Sequence, residues 1–184
     1  GDQPGLTFSA TQGWGELGRN VAAHQSNVPG APLQIGKNTY ASGLGHHANG
    51  ALAILLDGQY TAFDAEVGLQ PCDGGSVIFL VLVDGQPRFE SGVLRQTNAP
   101  VPVQVSLKGA QELRLEANDA GDGISCDMAN WCNATLTRAA TASRVEPEQG
   151  VDIAPFGRVV AWDPSRQDGA RGREEHRTDA EAAA

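Results

Sequence analysis

Short apolar segments separated by glycine-containing turns recur between residues 52 and 137, and this pattern constrains the fold more than any other feature. The dipeptides Asp57-Gly58 and Asp84-Gly85 are typical of hairpin turns between two strands. Apolar runs of this length, bounded by turns, predict an all-β domain. The predicted strands cover residues 52–56, 60–69, 76–83, 88–94, 101–107, 112–117 and 131–137.

Two of these segments differ in hydrophobic pattern, which indicates different positions in a sheet. Residues 77–83 are apolar throughout, as in an interior strand that is covered on both faces. In residues 101–107, valine and leucine alternate with other residues, which is the pattern of a strand with one solvated face. Pro102 lacks the backbone N–H of a central strand, so we expect this strand at a sheet edge.

The charge of the chain argues against several classes of partner. The sequence has 22 acidic and 13 basic side chains among 184 residues, which give a formal net charge of −9. This charge opposes sequence-independent binding to nucleic acid or to an anionic membrane surface. No apolar run approaches the length of about 18 residues that a transmembrane helix needs. Because the chain starts at Gly1 without a methionine or a leader, we expect a processed or trimmed chain, from a protein that is exported to the periplasm or the cell exterior.

The three cysteines are too few for a disulfide-rich scaffold, and their spacing does not match a paired zinc motif. Cys72 and Cys126 both lie in turn-rich segments. Cys132 has the same strand parity as Ala134 and Leu136, which points it inward if those two residues belong to the core. We therefore favour a Cys72–Cys126 disulfide. The alternative, three reduced and buried thiols, stays open.

A glycine-rich loop that precedes the last strand carries several hard oxygen ligands. The candidate ligands are Asp119, Asp122, Asp127 and Asn130. The intervening glycines allow a tight wrap, so we expect one divalent cation, calcium, to bind here. The spacing differs from an EF-hand loop, and a turn held by side-chain-to-backbone hydrogen bonds is the alternative.

Further candidates for ligand binding lie in the loop-rich first fifty residues. Trp14 lies between two glycines, which leaves its indole face available to stack on the C–H face of a sugar. His47 has nitrogens that can bond hydroxyl groups, and Arg19 and Asn20 can bond vicinal hydroxyls. Each also has a structural alternative: a tryptophan that fills the core, a histidine that bonds a buried carbonyl, and an arginine that pairs with a loop carboxylate.

Several motifs together resemble a known family in order and spacing. These are Gly13-Trp14-Gly15, residues 43–48, residues 75–85, residues 91–94 and the acidic loop. The chain from residue 6 to residue 138 is similar to NPCBM domains, also called family 51 carbohydrate-binding modules. The resemblance implies a galactose-binding-like jelly-roll β-sandwich, often appended to glycoside hydrolases, that binds galactose-type sugars beside a structural calcium.

The resemblance also assigns residues and shows departures from the family. His47 matches the family's own histidine, and Arg19 and Asn20 match a polar pair. Asn130 stands where the family usually has an aspartate, and residues 70–73 replace a frequent acidic pair. Trp131 follows Asn130 and, by strand parity, points away from Cys132.

We therefore expect a non-catalytic module that contacts a galactose-like glycan. The expected contacts are Trp14, Arg19, Asn20, His47, Asp127 and Trp131. The chain contains no nucleophile-elbow motif and no zinc-protease motif, so we do not expect an enzyme.

The composition changes after residue 138. Residues 139–150 form a predicted linker, and residues 151–184 form an extended C-terminal tail, either an arm or the start of a truncated second module. An isolated tail of this composition cannot repay its ordering entropy, so we expect it to dock on another surface. The residues expected to dock are Phe156, Val159, Val160 and Trp162. This tail supports a second hypothesis, a non-catalytic structural subunit of a larger exported protein assembly.

Overall fold

The computed structural model describes residues 6–140 and 150–152, and these residues form β-strands and loops without an α-helix. The all-β prediction is confirmed. The strands are β1 (Phe8–Thr11), β2 (Gly18–Arg19), β3 (Leu33–Ile35), β4 (Asn38–Tyr40), β5 (Gly43–His47), β6 (Gly50–Leu55), β7 (Tyr60–Leu69), β8 (Val77–Val83), β9 (Gln86–Leu94), β10 (Val101–Ser106), β11 (Glu112–Asn118), β12 (Met128–Arg138) and β13 (Gly150–Asp152). The described part of the chain contains no helix with the length and hydropathy needed to cross a membrane.

Two antiparallel sheets pack face to face as the predicted jelly-roll sandwich. One sheet has the strand order β1-β6-β11-β8-β9, and the other has the order β10-β7-β12-β5-β2. The short β3–β4 hairpin forms a separate two-stranded sheet, and β13 pairs with β12. The core between the two large sheets is built from inward-facing aliphatic side chains and the rings of Phe63, Phe79 and Trp131.

The hydrophobic patterns of β8 and β10 correspond to their places in the sheets. β8 lies between β11 and β9, and its inward residues, such as Phe79 and Val81, are fully buried. Its outward residues, such as Leu80, are half-buried. β10 forms the edge of the second sheet, where the missing N–H of Pro102 costs no ladder bond. Both strand positions predicted from the sequence are confirmed.

A β-bulge in β12 changes which face each side chain occupies. Trp131 pairs with Val67 and Leu136 pairs with Phe63, so five residue steps on β12 correspond to four on β7. The extra residue lies at Asn133, whose φ is 49°. One extra residue reverses the alternation of side chains beyond it. Trp131 and Leu136 therefore both point into the core, and the prediction that they face opposite sides was wrong.

The C-terminal region is described only where β13 pairs with β12. Residues 135–137 of β12 lie opposite residues 150–152. The four residues predicted to dock on a partner, Phe156, Val159, Val160 and Trp162, lie outside the described residues. The docking hypothesis for the tail stays a prediction.

Candidate functional site

Loops from several strand connections meet at one end of the sandwich and surround a cavity of about 340 Å³. Antiparallel strands place alternate connections at the same end of a sheet, which brings together loops that are distant in sequence. The cavity is lined by Trp14, His47, Cys72, Ile124, Ser125, Cys126 and Met128. We call it the Trp14 cavity.

The loop that carries Trp14 is held against the end of β5 by backbone contacts. The N–H of Gly13 donates to the carbonyl oxygen of His47 at 3.3 Å, and the N–H of His47 donates to Gln12 Oε1 at 2.9 Å. A Cβ atom at Gly13 would lie 1.9 Å from the carbonyl oxygen of Ala48, so only glycine permits this approach. The contact leaves the indole of Trp14 41 % exposed.

The imidazole of His47 lies beside this indole and is oriented by one hydrogen bond. The two ring centroids are 5.4 Å apart with an interplanar angle of 51°. His47 Nδ1 lies 2.7 Å from the carbonyl oxygen of Ala48, which fixes Nδ1 as the donor. Its other ring nitrogen, Nε2, has no hydrogen bond to any described residue and is available to a ligand. His47, a ligand-site candidate from the sequence, lies at the cavity.

The opposite wall of the cavity is formed by the loop between β11 and β12. Cys126 of this loop is joined by a disulfide to Cys72 in the connection between β7 and β8, with a Cα–Cα distance of 5.6 Å. This is the pair that the sequence favoured, and Cys132 is free and buried. Burial raises the pKa of the Cys132 thiol to about 12, so it stays protonated. Ile124, on the same wall, is 38 % exposed.

The three aspartates of this loop have different environments. Asp119 Oδ1 accepts a hydrogen bond from the N–H of Gly121, and its Oδ2 accepts one from Asn49 Nδ2. Asp122 Oδ2 accepts a hydrogen bond from Ser76 Oγ at 2.7 Å. These bonds are those of a turn held by its own side chains and neighbours.

Asp127 is the most buried of the three aspartates. It is fully buried, and its Oδ1 accepts a hydrogen bond from the N–H of Ser76 at 2.9 Å. Its Oδ2 has no partner in the described structure. Burial raises the pKa of this carboxyl group, the Ser76 hydrogen bond opposes the shift, and the charge of Asp122 adds to it. Among the described residues, no group of three or more histidines, cysteines, aspartates and glutamates is close enough to hold a metal ion.

Two predicted site residues on β12 lie elsewhere. Trp131 is fully buried, and its ring packs edge-on against Phe79 at a centroid distance of 5.1 Å. It is a core residue and cannot line a sugar site. Asn130 is also buried, and its Nδ2 donates to Gln34 O and Gln70 Oε1. Its Nδ2 holds the β3–β4 hairpin, whereas its Oδ1 is buried without a hydrogen-bond partner among the described residues, so its role as a metal ligand stays a prediction.

The predicted polar pair and Asp127 also do not line the cavity. Asn20 Oδ1 accepts a hydrogen bond from the N–H of Gly43, at the end of β5 opposite to His47. The guanidinium of Arg19 lies 5.4 Å from the ring centroid of Phe8. Both residues therefore contact the β1–β2–β5 region. Asp127 lies behind the cavity wall because its carboxylate is turned to the backbone of Ser76.

The sequence also carries the signature of a family. A model of the NPCBM/NEW2 domain matches residues 5–137. The chain belongs to the NPCBM/NEW2 family. The predicted family resemblance, which covered residues 6–138, is thereby confirmed.

Relatives of this NPCBM domain occur within much larger proteins. The domain is 29 % identical over 138 residues to a protein of Renibacterium salmoninarum named as an endo-alpha-N-acetylgalactosaminidase. The match covers 73 % of this chain and only 9 % of that relative. This domain therefore resembles only a small part of that long protein, and the activity in the name is that of the whole relative.

Solved structures of similar domains contain sugars. A CBM51 domain from Clostridium perfringens GH95 in complex with methyl-galactose has a TM-score of 0.64 and 28 % identity, covering 70 % of this chain and 92 % of that one. A CBM51-2 domain from Clostridium perfringens ZmpB, solved with its INT domains and GlcNAc, has a TM-score of 0.63 and 28 % identity. That match covers 70 % of this chain and 29 % of the other.

Several lining residues of the NPCBM domain were missed by sequence reasoning. They are Ile124, Ser125 and Met128, which form the wall that faces Trp14 together with the predicted disulfide. Ile124 is the only large aliphatic residue among the Asp, Gly and Ser residues of its loop. The available signal was a single large apolar residue in an otherwise polar loop. Such a residue is a candidate for ligand contact when, like Ile124, it is not buried in the core.

Proposed function

We propose that the Trp14 cavity binds a neutral, galactose-like saccharide and that the domain is a non-catalytic carbohydrate-binding module. The observation that carries this proposal is the exposed indole of Trp14, held beside the oriented imidazole of His47 at the rim of a cavity of about 340 Å³. Cavities that bind small ligands have volumes of roughly 300 to 1,000 Å³, so one or two sugar rings are a suitable size.

The chemistry of the cavity matches that of a pyranose ring. A pyranose has an apolar C–H face and a rim of hydroxyl groups. Trp14 and Ile124 offer apolar surface to the face, and the Nε2 of His47 and the hydroxyl of Ser125 offer polar partners to the rim. The two sugars in the solved relatives, methyl-galactose and GlcNAc, are both neutral pyranoses.

The lining of the cavity supports binding without catalysis. Glycoside hydrolysis ordinarily uses two carboxyl groups about 5 to 10 Å apart on either side of the scissile bond. No aspartate or glutamate is among the residues that line the Trp14 cavity. Asp127, the nearest candidate in sequence, is fully buried and bonded to the backbone of Ser76.

We also propose that the loop of residues 119–127 binds one calcium ion. Asp127 Oδ2 is a buried oxygen without a partner, and Asp119 and Asp122 lie in the same loop. Carboxylate and backbone carbonyl oxygens are the ligands that calcium prefers. Bound calcium would compensate the negative charge of the buried Asp127 carboxylate. It would also stabilise the loop that carries Ile124. Asn130 lies outside this loop, in β12, with its Nδ2 bonded to Gln34 and Gln70, and we do not include it in this proposal.

The Cys72–Cys126 disulfide supports the proposal that the protein is exported. Structural disulfides persist in oxidising compartments such as the periplasm and the cell exterior. This disulfide joins the two loops that form one wall of the cavity. An oxidising compartment would therefore keep the binding site assembled.

Calorimetric titration of the full chain with methyl-galactose and GlcNAc tests the saccharide proposal. We expect weak binding of at least one sugar, and an affinity loss of about tenfold or more in Trp14→Ala, which corresponds to roughly 1.4 kcal/mol. Val28→Ala is a matched control, because Val28 is 48 % exposed and does not line the cavity. Unchanged affinity in Trp14→Ala, or no heat with either sugar in the presence of calcium, would contradict the proposal.

A further inference from the structure

A second cavity, of about 400 Å³, opens at the other end of the sandwich. Its polar lining residues are Asp84, Arg88, Gln104, Ser106 and Lys108, and we call it the β9–β10 cleft. β9 and β10 are edge strands of different sheets, so the sandwich is open between them. The strand β8 runs from the side of the Trp14 cavity towards this cleft and is about 20 Å long at roughly 3.3 Å per residue.

Two cations of the cleft have no ion-pair partner among the described residues. Arg88 comes from one sheet and Lys108 follows β10 of the other, yet both line the same cavity. No described carboxylate lies within 4.0 Å of either side chain. Most other described cations have a recorded partner, a carboxylate or an aromatic ring; these are Arg19, Arg95, Arg114 and Arg138.

The carboxylate of Asp84 in the cleft is hydrogen-bonded to the backbone. Asp84 Oδ1 accepts hydrogen bonds from the N–H groups of Gln111 and Glu112, each at 2.9 Å. These bonds hold the turn after β8 against the start of β11. Arg88 and Lys108 outnumber the single carboxylate of Asp84, which leaves an excess positive charge in a concave site on a chain whose net charge is −9. Such a site concentrates anions from solution.

We propose that the β9–β10 cleft binds the anionic group of an acidic saccharide, either a sulfate ester or a uronic acid carboxylate. The planar guanidinium of Arg88 can bond two oxygens of such a group, and Lys108 adds a point charge. Gln104 and Ser106 offer an amide and a hydroxyl to the remaining sugar hydroxyls. This site goes beyond the neutral-saccharide function, since it lies at the opposite end of the domain.

An acidic saccharide suits the cleft better than an acidic peptide. A peptide that pairs with an edge strand needs a continuous row of backbone donors and acceptors. Pro102 interrupts the donors of β10, which makes strand addition unfavourable there. The cleft volume is also near the lower end of the range for small-ligand sites.

Calorimetry of the full chain at low ionic strength tests the proposal with galactose 6-sulfate and glucuronic acid as probes. We expect at least one probe to bind in the presence of saturating methyl-galactose, and the stronger one identifies the anionic group. Arg88→Gln and Lys108→Gln should each weaken binding about threefold, and the double variant about tenfold. Lys37→Gln removes one charge outside the cleft and should leave the affinity unchanged.

Four results would overturn the proposal. They are no heat with either acidic sugar, equal binding of inorganic sulfate, tighter binding of a short glutamate-rich peptide, and equal weakening by Lys37→Gln. Methyl-galactose binding serves as the internal control, because the double variant leaves the Trp14 cavity intact. Loss of methyl-galactose binding alone would count against the neutral-saccharide proposal only.

Discussion

Trp14 and Trp131 were both predicted to contact a sugar, and the structure gives them opposite roles. Trp14 lies in the loop after β1 and is 41 % exposed, whereas Trp131 lies in β12 and is fully buried. The neighbours of Trp14 in sequence are glycines, which have no side chains to cover the indole. Trp131 is paired on both sides, with Val67 and with Leu44, inside a central strand. The comparison shows that the exposure of an aromatic side chain depends on which other segments pack over it. A sequence motif does not specify those segments.

The adjacent histidines show the same contrast over one residue step. His47 lies beside Trp14 at the cavity, whereas His46 Nε2 lies 2.9 Å from the carbonyl oxygen of Thr11. His46 Nδ1 is buried without a partner. Burial lowers the pKa of His46 to about 4, an effect that the Thr11 hydrogen bond opposes and the charge of His47 increases. His46 is therefore a structural residue of the β1–β5 contact.

Replacement of Trp131 gives the largest expected effect and tests its assignment to the core. Trp131→Ala removes the ring that contacts Phe79 and Phe63, so we expect a loss of about 3 to 5 kcal/mol in the free energy of unfolding. Urea denaturation monitored by far-UV circular dichroism measures this loss. A loss below about 1 kcal/mol with abolished sugar binding would instead place Trp131 at the site.

The second prediction separates the two histidines by pH. The pKa of His46 in the folded protein, about 4, is below the ordinary histidine value of 6.5. The contribution of the neutral His46 imidazole to the free energy of unfolding is therefore fully present above pH 6.5. It is lost as the pH falls from 6.5 towards 4. The difference corresponds to about 3 kcal/mol. Thermal unfolding of the wild type and of His46→Gln between pH 7 and pH 4.5 measures this loss.

The matched control for that experiment is His24→Gln, which replaces a histidine that is only half-buried. We expect this variant to keep the full pH dependence of the wild type. His46→Gln should have a shallower dependence, because the titrating group is removed. Equal slopes for the wild type and His46→Gln would show that His46 does not control acid stability.

The third prediction concerns the wall opposite Trp14. If calcium binds residues 119–127, a concentration of 100 times Kd should stabilise chelator-treated protein by about 2.7 kcal/mol. Asp122→Asn should reduce this effect, and Asp57→Asn, at a turn far from the loop in sequence, should not. Differential scanning calorimetry measures both. An unchanged melting temperature with saturating calcium would show that the loop is a turn without a metal.

The smallest expected effect is that of Trp14→Ala on stability. Because the indole is exposed and the loop is held by backbone bonds of Gly13, we expect a change within about 0.5 kcal/mol. The same variant should still lose sugar affinity. Urea denaturation of this variant beside Trp131→Ala compares the two tryptophans directly, and similar destabilisation by both would remove the distinction between them.

Much of the fold could be predicted because it depends on local patterns. Turn dipeptides and the period of two in the apolar residues indicated the strands, and Pro102 indicated the sheet edge. The candidate site was predicted only in part. Trp14 and His47 lie together at the cavity, but Arg19, Asn20, Asp127 and Trp131 do not line it.

The sequence by itself determined the all-β class, the edge position of β10 and the family, because each rests on neighbouring residues or on motifs in order. Only the tertiary structure decided which side chains meet at the site. The bulge at Asn133 reverses the side-chain alternation of β12, and the β3–β4 hairpin supplies a partner for Asn130 from 96 residues away. The physical reason is that exposure and hydrogen bonding depend on contacts between distant segments, and those contacts form only when the two sheets pack.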